Sequence, residues 1–122
     1  MVNRGAVAVV GVKPDIELPI PHIQVPDDRA ALAHVAAAFY GHPARELTLI
    51  GVTGTDGKTT TSNFIYEILK AAGHPTGMIS TVNAQIGDEV LDTGFHVTTP
   101  EAFEAQRYLR QMVAAGLTHA VL

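Results

Sequence analysis

The chain has 122 residues, of which 47% are hydrophobic and 16% charged, and its formal net charge is −4. This composition is typical of one globular domain and excludes a disordered chain, and the scattered basic residues disfavour nucleic-acid backbone binding. No apolar run approaches the length of a membrane span, so we expect neither a span nor a secretory signal. The absence of cysteine excludes thiolate metal sites and cysteine catalysis, and it is consistent with a cytoplasmic protein.

The first elements are predicted to be two short strands. Ala6–Val10 is an apolar run that predicts a buried strand ended by Gly11. Four of the prolines follow within residues 11–26, which predicts a linker-like loop, because proline removes backbone hydrogen-bond donors. A short edge strand at His22–Val25 is compatible with this loop.

A first helix is predicted after Asp27 and Asp28, whose carboxylates can accept hydrogen bonds at a helix N-terminus. Gly41 and Pro43 are predicted to end it. Helical spacing predicts one buried stripe, made of Leu32, Val35, Ala36 and Phe39.

The middle of the chain predicts a strand, a glycine-rich turn, a helix and a second strand. These segments are Leu47–Thr53, residues 54–57, Lys58–Ala72 and Met78–Thr81. A strand–helix–strand order of this kind indicates an α/β fold with a parallel sheet. The predicted apolar face of the helix consists of Phe64, Ile65, Ile68, Leu69 and Ala72.

The C-terminal part predicts a hairpin, a helix and a third parallel strand. The hairpin covers Ala84–Leu91, and the strand covers Thr118–Leu122, with an unpaired edge that favours association. The helix is expected to begin within 98–101, capped either by Thr98 with Glu101 or by Thr99 with Pro100 in the first helical position. Its predicted buried face consists of Ala105, Leu109, Met112, Val113 and Gly116.

The most informative segment runs from Gly51 to Thr60 and reads Gly-Val-Thr-Gly-Thr-Asp-Gly-Lys-Thr-Thr. Its glycines let main-chain N–H groups approach an anion, and the following helix N-terminus adds unsatisfied donors. Lys58 supplies a positive charge for β and γ phosphates, and the Thr59 hydroxyl suits Mg²⁺. The segment therefore predicts a phosphate-binding loop.

The strict phosphate-loop pattern G-x-x-x-x-G-K-[ST] fails by one residue, because Val52 occupies the position of its first glycine. The glycine spacing of a dinucleotide-binding loop is absent. The structural alternative is a glycine-rich turn capped by polar residues, but such a turn does not explain Lys58 directly before two threonines.

The loop sequence after a Leu-Ile-Gly-Val-Thr strand resembles the Mur ligases, the ATP-dependent amide-forming enzymes of peptidoglycan synthesis. Two further stretches, Arg29–Pro43 and Thr98-Thr99-Pro100-Glu101, look like the branch that adds the third residue of the stem peptide. The likeness covers nearly the whole chain. Folylpolyglutamate synthases and cyanophycin synthetases carry similar loops and are the first alternative; a non-catalytic nucleotide-binding remnant is the second.

The resemblance implies that ATP phosphorylates a carboxylate of UDP-N-acetylmuramoyl-dipeptide, and that the amine of diaminopimelate or lysine attacks the acyl phosphate. It implies that Lys58 acts in catalysis and that ATP is bound by Gly54, Thr55, Asp56, Gly57, Lys58, Thr59 and Thr60. It further implies that Thr59 binds Mg²⁺ and that Thr98 and Thr99 bind the muramoyl peptide, although helix capping explains these two threonines equally well. Asp56 replaces the usual asparagine, and its carboxylate is expected either to point away from the phosphates or to face Mg²⁺.

The resemblance also implies a domain organisation. Residues 1–27 would be the tail of an N-terminal domain that binds the UDP substrate, and residues 28–122 the first part of the central ATP-binding domain. The family's carbamylated lysine lies well after the loop, whereas the lysines here are Lys13, Lys58 and Lys70. We therefore expect this chain alone to be an inactive fragment. The six histidines have no metal-ligand spacing and are expected to play structural or solvent-exposed roles.

Overall fold

The computed structural model describes residues 5–14, 17–80, 83–87, 89–92 and 101–122. Its strands are β1 (Val9–Gly11), β2 (His22–Gln24), β3 (Thr48–Ile50), β4 (Thr76–Ile79), β5 (Asn83–Ile86), β6 (Glu89–Asp92) and β7 (His119–Val121). Its helices are α1 (Asp28–Phe39), α2 (Lys58–Ala71) and α3 (Ala102–Ala114), with a short 3₁₀ turn at Pro43–Arg45. The chain divides into two compact units, residues 1–35 and 36–122, and the boundary falls within α1.

In the first unit, β1 and β2 form a two-stranded parallel sheet in which Val10 lies opposite Ile23. The predicted strand at Ala6–Val10 is wrong in its bounds and its burial, because β1 begins at Val9 and the side chains of Val7 and Val10 are 83% and 43% exposed. The short strand predicted at His22–Val25 is confirmed as β2.

Helix α1 begins as predicted, since the Asp27 carboxylate accepts a hydrogen bond from the Ala30 N–H at 3.0 Å. It also ends as predicted, because Gly41 adopts a φ of 74° after the last turn. The predicted buried stripe is wrong except at Ala36, which is fully buried. Within the first unit, Leu32 and Val35 line an open apolar groove with Val10 instead of packing beneath other side chains.

The second unit contains a five-stranded sheet in the order β3-β7-β4-β5-β6. Strands β3, β7 and β4 are parallel, whereas β5 and β6 pair antiparallel through the predicted hairpin. The α/β class is confirmed, but the sheet is mixed and not wholly parallel. Strand β7 lies between β3 and β4, so the predicted free edge at Thr118–Leu122 is wrong; the edge strands of the described sheet are β3 and β6.

The two helices of this unit cover opposite faces of the sheet, because neighbouring residues of a strand point to opposite sides. Met78 and Val121 pack against Tyr66 of α2. Ile79 and Ala120, one position away, pack with Leu109 and Met112 of α3. The buried position predicted for Met112 is confirmed, since it is 0% exposed, and Met78 is 1% exposed.

The bounds of α2 agree with the predicted bounds to within one residue, but a different face of the helix is buried. Ser62 and Tyr66 are buried, and Ile65 and Leu69 are half-buried against the sheet. Phe64 and Ile68 are each 65% exposed, and Ala72 is exposed. The prediction missed this because Tyr66, with its polar hydroxyl, was not counted among the apolar positions, although its ring fills the core.

Helix α3 begins at Ala102, with Glu101 as the N-cap residue and no side-chain cap from it, so the helix starts later than either predicted cap implies. Thr98 and Thr99 themselves lie outside the described residues. Tyr108, Leu109 and Met112 form its buried face, which confirms two of the five predicted positions. Ala105 and Val113 are half-buried and Gly116 is exposed after the helix end. None of the helices in the described ranges is long and apolar enough to cross a membrane.

Candidate functional site

The predicted loop lies between the end of β3 and the start of α2. The Val52 N–H donates to the Leu122 carbonyl at 2.7 Å, and the Leu122 N–H donates to the Ile50 carbonyl at 2.9 Å. These bonds continue the pairing of β3 with β7 up to the loop. The loop therefore leaves the carboxyl end of the parallel strands, where open α/β sheets commonly bind ligands.

The turn into α2 depends on glycine. Gly57 is the N-cap residue with φ 75° and ψ 0°, and because it lacks a side chain it supplies no side-chain cap. Gly54 has a φ of 148°, and a Cβ built on it would lie 3.6 Å from the Asp56 carbonyl oxygen. Both conformations are ones that residues with a side chain rarely adopt.

The loop leaves its main-chain amides free. Within the part of the chain that the structure describes, the N–H groups of residues 53–60 donate no hydrogen bond, and the first bond of α2 runs from the Thr61 N–H to the Gly57 carbonyl at 2.9 Å. The loop residues other than Lys58 are exposed. The result is a row of open donors around a helix N-terminus, where the helix dipole is positive.

Lys58 folds back over this row of donors. Its Nζ donates to the Gly54 carbonyl at 2.6 Å and lies 3.4 Å from the Thr55 carbonyl oxygen. The side chain is half-buried, in contrast to its exposed neighbours. The ammonium group is therefore held at the loop, which keeps a positive charge beside the free amides.

The sequence pattern missed one residue of this turn, Asn63. Its side-chain Nδ2 donates to the Thr59 carbonyl at 2.7 Å, which ties the first turn of α2 together. The i, i+4 spacing of Thr59 and Asn63 is the signal that could have predicted this contact. The Thr59 and Thr60 side chains are exposed at the same helix end.

The structure brings together the loop residues that the sequence singled out, Gly54 to Thr60. Thr98 and Thr99, the predicted substrate-binding residues, lie outside the described residues. Chemically, free amides and one ammonium group fit an anionic ligand, and the Thr59 hydroxyl is an oxygen donor of the kind that Mg²⁺ accepts. Among the described residues, no group of three or more histidine, aspartate or glutamate side chains is placed to hold a metal ion.

Two histidines that the sequence did not pair lie together at the opposite, N-terminal end of the parallel strands. The rings of His74 and His119 are 4.7 Å apart, just before β4 and at the start of β7. The Thr118 Oγ1 lies 2.8 Å from the His119 Nδ1. These contacts tie the ends of two neighbouring strands together and are separate from the loop.

Comparison with known proteins gives consistent matches along the chain. Residues 52–122 match the Mur ligase middle domain. The chain is 48% identical over 122 residues to the UDP-N-acetylmuramyl-tripeptide synthetase of Roseiflexus sp. strain RS-1, covering 98% of this chain and 24% of that protein. It is 51% identical over 121 residues to the synthetase of the same name from Deinococcus radiodurans, covering 97% of this chain and 25% of that protein.

A solved structure of UDP-N-acetylmuramoyl-L-alanyl-D-glutamate–2,6-diaminopimelate ligase has the same fold over this region. Its TM-score is 0.75 at 26% sequence identity, covering 98% of this chain and 24% of that one. The chain thus spans about a quarter of the length of the curated relatives it matches. These matches confirm the resemblance that the loop sequence predicted.

Proposed function

Because this chain belongs to the Mur ligase family, we propose that residues 54–60 form its ATP phosphate-binding loop. The observation that carries the proposal is the row of main-chain N–H groups at residues 53–60, which have no acceptor in the described part of the chain. Unsatisfied amides at a helix N-terminus, backed by one ammonium group, favour a ligand with several negative oxygens. The polyphosphate of ATP is such a ligand.

The proposed roles follow from what each group can donate. The amides of Gly54 to Thr60 bind phosphate oxygens, and Lys58 binds the β and γ phosphates after its Nζ leaves the Gly54 carbonyl. The Thr59 hydroxyl is the proposed Mg²⁺ ligand on this chain. When bound, Mg²⁺ would neutralise part of the phosphate charge. Positioning and charge neutralisation are what phosphoryl transfer requires from a protein.

For the whole enzyme, we propose ligation of the third amino acid to UDP-N-acetylmuramoyl-L-alanyl-D-glutamate. The γ-phosphoryl group passes to a substrate carboxylate and ADP leaves; the amine of diaminopimelate or lysine then attacks the acyl carbon, losing a proton, and phosphate leaves. The names of the relatives, tripeptide synthetase and 2,6-diaminopimelate ligase, support this reaction.

We further propose that Thr98 and Thr99 bind the muramoyl dipeptide. Residues 1–27 are assigned to the tail of the UDP-substrate domain and residues 28–122 to the central ATP-binding domain. The match of residues 52–122 to the Mur ligase middle domain supports the second assignment.

The loop assignment is tested by titrating the chain with ATP and Mg²⁺ in a calorimeter. Lys58→Ala removes the ammonium group held at the loop, and we expect it to weaken binding at least tenfold, because hydrogen bonds to charged groups are worth about 1.5–3 kcal/mol. Lys70→Ala is the matched control, since it removes the same charge from the opposite end of α2. Equal affinity for both variants and the unaltered chain, or no binding by any of them, contradicts the proposal.

A further inference from the structure

The proposed phosphate-binding loop carries a negative side chain among the groups that would bind an anion. Asp56 is exposed and lies directly before the N-cap residue Gly57. Within the described ranges its carboxylate has no ion pair or hydrogen bond; the salt bridge found there joins Arg110 to Glu46. Carboxylates near a helix N-terminus are stabilised by the helix dipole, but at this loop the same positive helix end would also attract the phosphates.

The nearest lysine in sequence does not neutralise this carboxylate. The Lys58 ammonium donates to two uncharged carbonyl oxygens, those of Gly54 and Thr55, at 2.6 and 3.4 Å. On moving to a phosphate group, Lys58 would still leave Asp56 without a positive partner among the residues that the structure describes. A metal-free polyphosphate that binds in the loop is therefore attracted by the Lys58 ammonium group and repelled by the Asp56 carboxylate.

We propose that Asp56 makes nucleotide binding at this loop depend on a divalent cation, by repelling the phosphates of free ATP and favouring the ATP–cation complex. The inference rests on the proposed function of the loop. A divalent cation bound to the phosphates offsets the charge that the carboxylate repels, and carboxylate oxygen is also a ligand that Mg²⁺ accepts. The coupling is reciprocal, so bound nucleotide also raises the affinity for the cation.

The test measures the affinity of the chain for ATP in the presence of EDTA and again with saturating Mg²⁺. Asp56→Asn keeps the side-chain shape and removes the charge. We expect it to raise the affinity for metal-free ATP roughly fivefold or more, because it removes one negative charge from the loop that binds the phosphates. The affinity for the Mg²⁺ complex of ATP should stay within about twofold or fall. The dissociation constant for metal-free ATP, divided by that for the Mg²⁺ complex, should therefore drop about fivefold.

The matched control is Glu67→Gln, which removes an exposed carboxylate from α2, about 13 Å along the helix axis from its first residue, Lys58. We expect this variant to keep the ratio of the unaltered chain. Thermal unfolding of both variants establishes that they fold. Raising the salt concentration should reduce the effect of Asp56→Asn, because added ions screen exposed charges.

The outcomes separate the two proposals. If the unaltered chain and Asp56→Asn both bind ATP and show the same ratio of dissociation constants, Asp56 does not couple nucleotide to cation and the inference is wrong. If the unaltered chain binds ATP neither with EDTA nor with Mg²⁺, the proposed function of the loop fails and the inference fails with it.

Discussion

Gly77 of β4 lies directly against Met112 of α3. A Cβ built on Gly77 would be 2.6 Å from the Met112 Sδ and 2.7 Å from its Cε, closer than real side-chain contacts allow. Met112 is fully buried and belongs to the core that joins α3 to the sheet. The absence of a side chain at Gly77 therefore sets how closely this helix approaches the sheet.

Gly77→Ala is expected to destabilise the chain by about 1–3 kcal/mol, the usual cost of overpacking a core. Urea denaturation measures the loss. Gly51→Ala is the control, because a Cβ there would meet nothing within 4 Å. The double variant with Met112→Ala should show a coupling energy between the two positions. Additive losses in the double variant would show that the close approach does not restrict position 77.

Gly57 is expected to tolerate asparagine better than alanine. Its φ of 75° is left-handed, and a Cβ there would meet nothing within 4 Å, so the cost of substitution comes from the backbone and not from a clash. Gly57→Ala should lower the free energy of unfolding by about 1–2 kcal/mol, and Gly57→Asn by less, because asparagine visits this conformation more readily. Urea denaturation of both variants checks the order, and equal losses would contradict it.

The same two variants should rank alike in ATP binding. Straightening the backbone at position 57 would turn the following amides away from a common ligand, so we expect the affinity for ATP with Mg²⁺ to fall more in Gly57→Ala than in Gly57→Asn. Calorimetric titration at a temperature where both variants are folded separates this effect from stability. An affinity unchanged in both would place the ligand elsewhere.

The ion pair between Arg110 and Glu46 is expected to contribute little. Its atoms are 3.0 Å apart, and the two side chains are 45% and 50% exposed, so water and salt screen the attraction. A double-mutant cycle with Glu46→Gln and Arg110→Gln should give a coupling energy below about 1 kcal/mol that shrinks as salt is added. A larger coupling that does not respond to salt would show that this pair orients α3.

The isolated chain is expected to bind nucleotide without catalysing ligation. The residues proposed to act on this chain hold phosphates and the muramoyl dipeptide, and none is assigned to accept the incoming amino acid. A coupled ADP-release assay with UDP-N-acetylmuramoyl-L-alanyl-D-glutamate, ATP, Mg²⁺ and diaminopimelate or lysine should remain at the background rate. ADP release that depends on both the dipeptide and the amino acid would refute this expectation.

The local sequence was sufficient to predict those structural features that neighbouring residues in the chain produce. The Asp27 cap of α1, the start of α2 after Gly57 and the hairpin around Gly87 follow from single residues and were predicted. The cluster of loop residues was also predictable, because Gly54, Gly57 and Lys58 lie within five positions of each other and a turn keeps them together. Asn63 was missed because its contact with Thr59 uses an unremarkable polar side chain.

Packing was less predictable, because helical spacing shows that a stripe exists but not what covers it. The apolar positions Leu32, Val35 and Phe39 match a buried stripe, yet they are 43%, 55% and 71% exposed. On α2, Phe64 and Ile68 were predicted to be buried, whereas the sheet selected the face that carries Tyr66. Only the position of the neighbouring strands distinguishes these faces.

The sequence by itself determined the order of elements, the glycine-dependent turn at residues 54–57 and the family to which that turn points, because these depend on residues near each other in the chain. Tertiary structure alone decided that β7 lies between β3 and β4 and that the sheet covers the face of α2 that carries Tyr66. The reason is physical: strand order and the choice of the buried helix face depend on which distant segments of the chain meet, and a local sequence pattern does not specify those contacts.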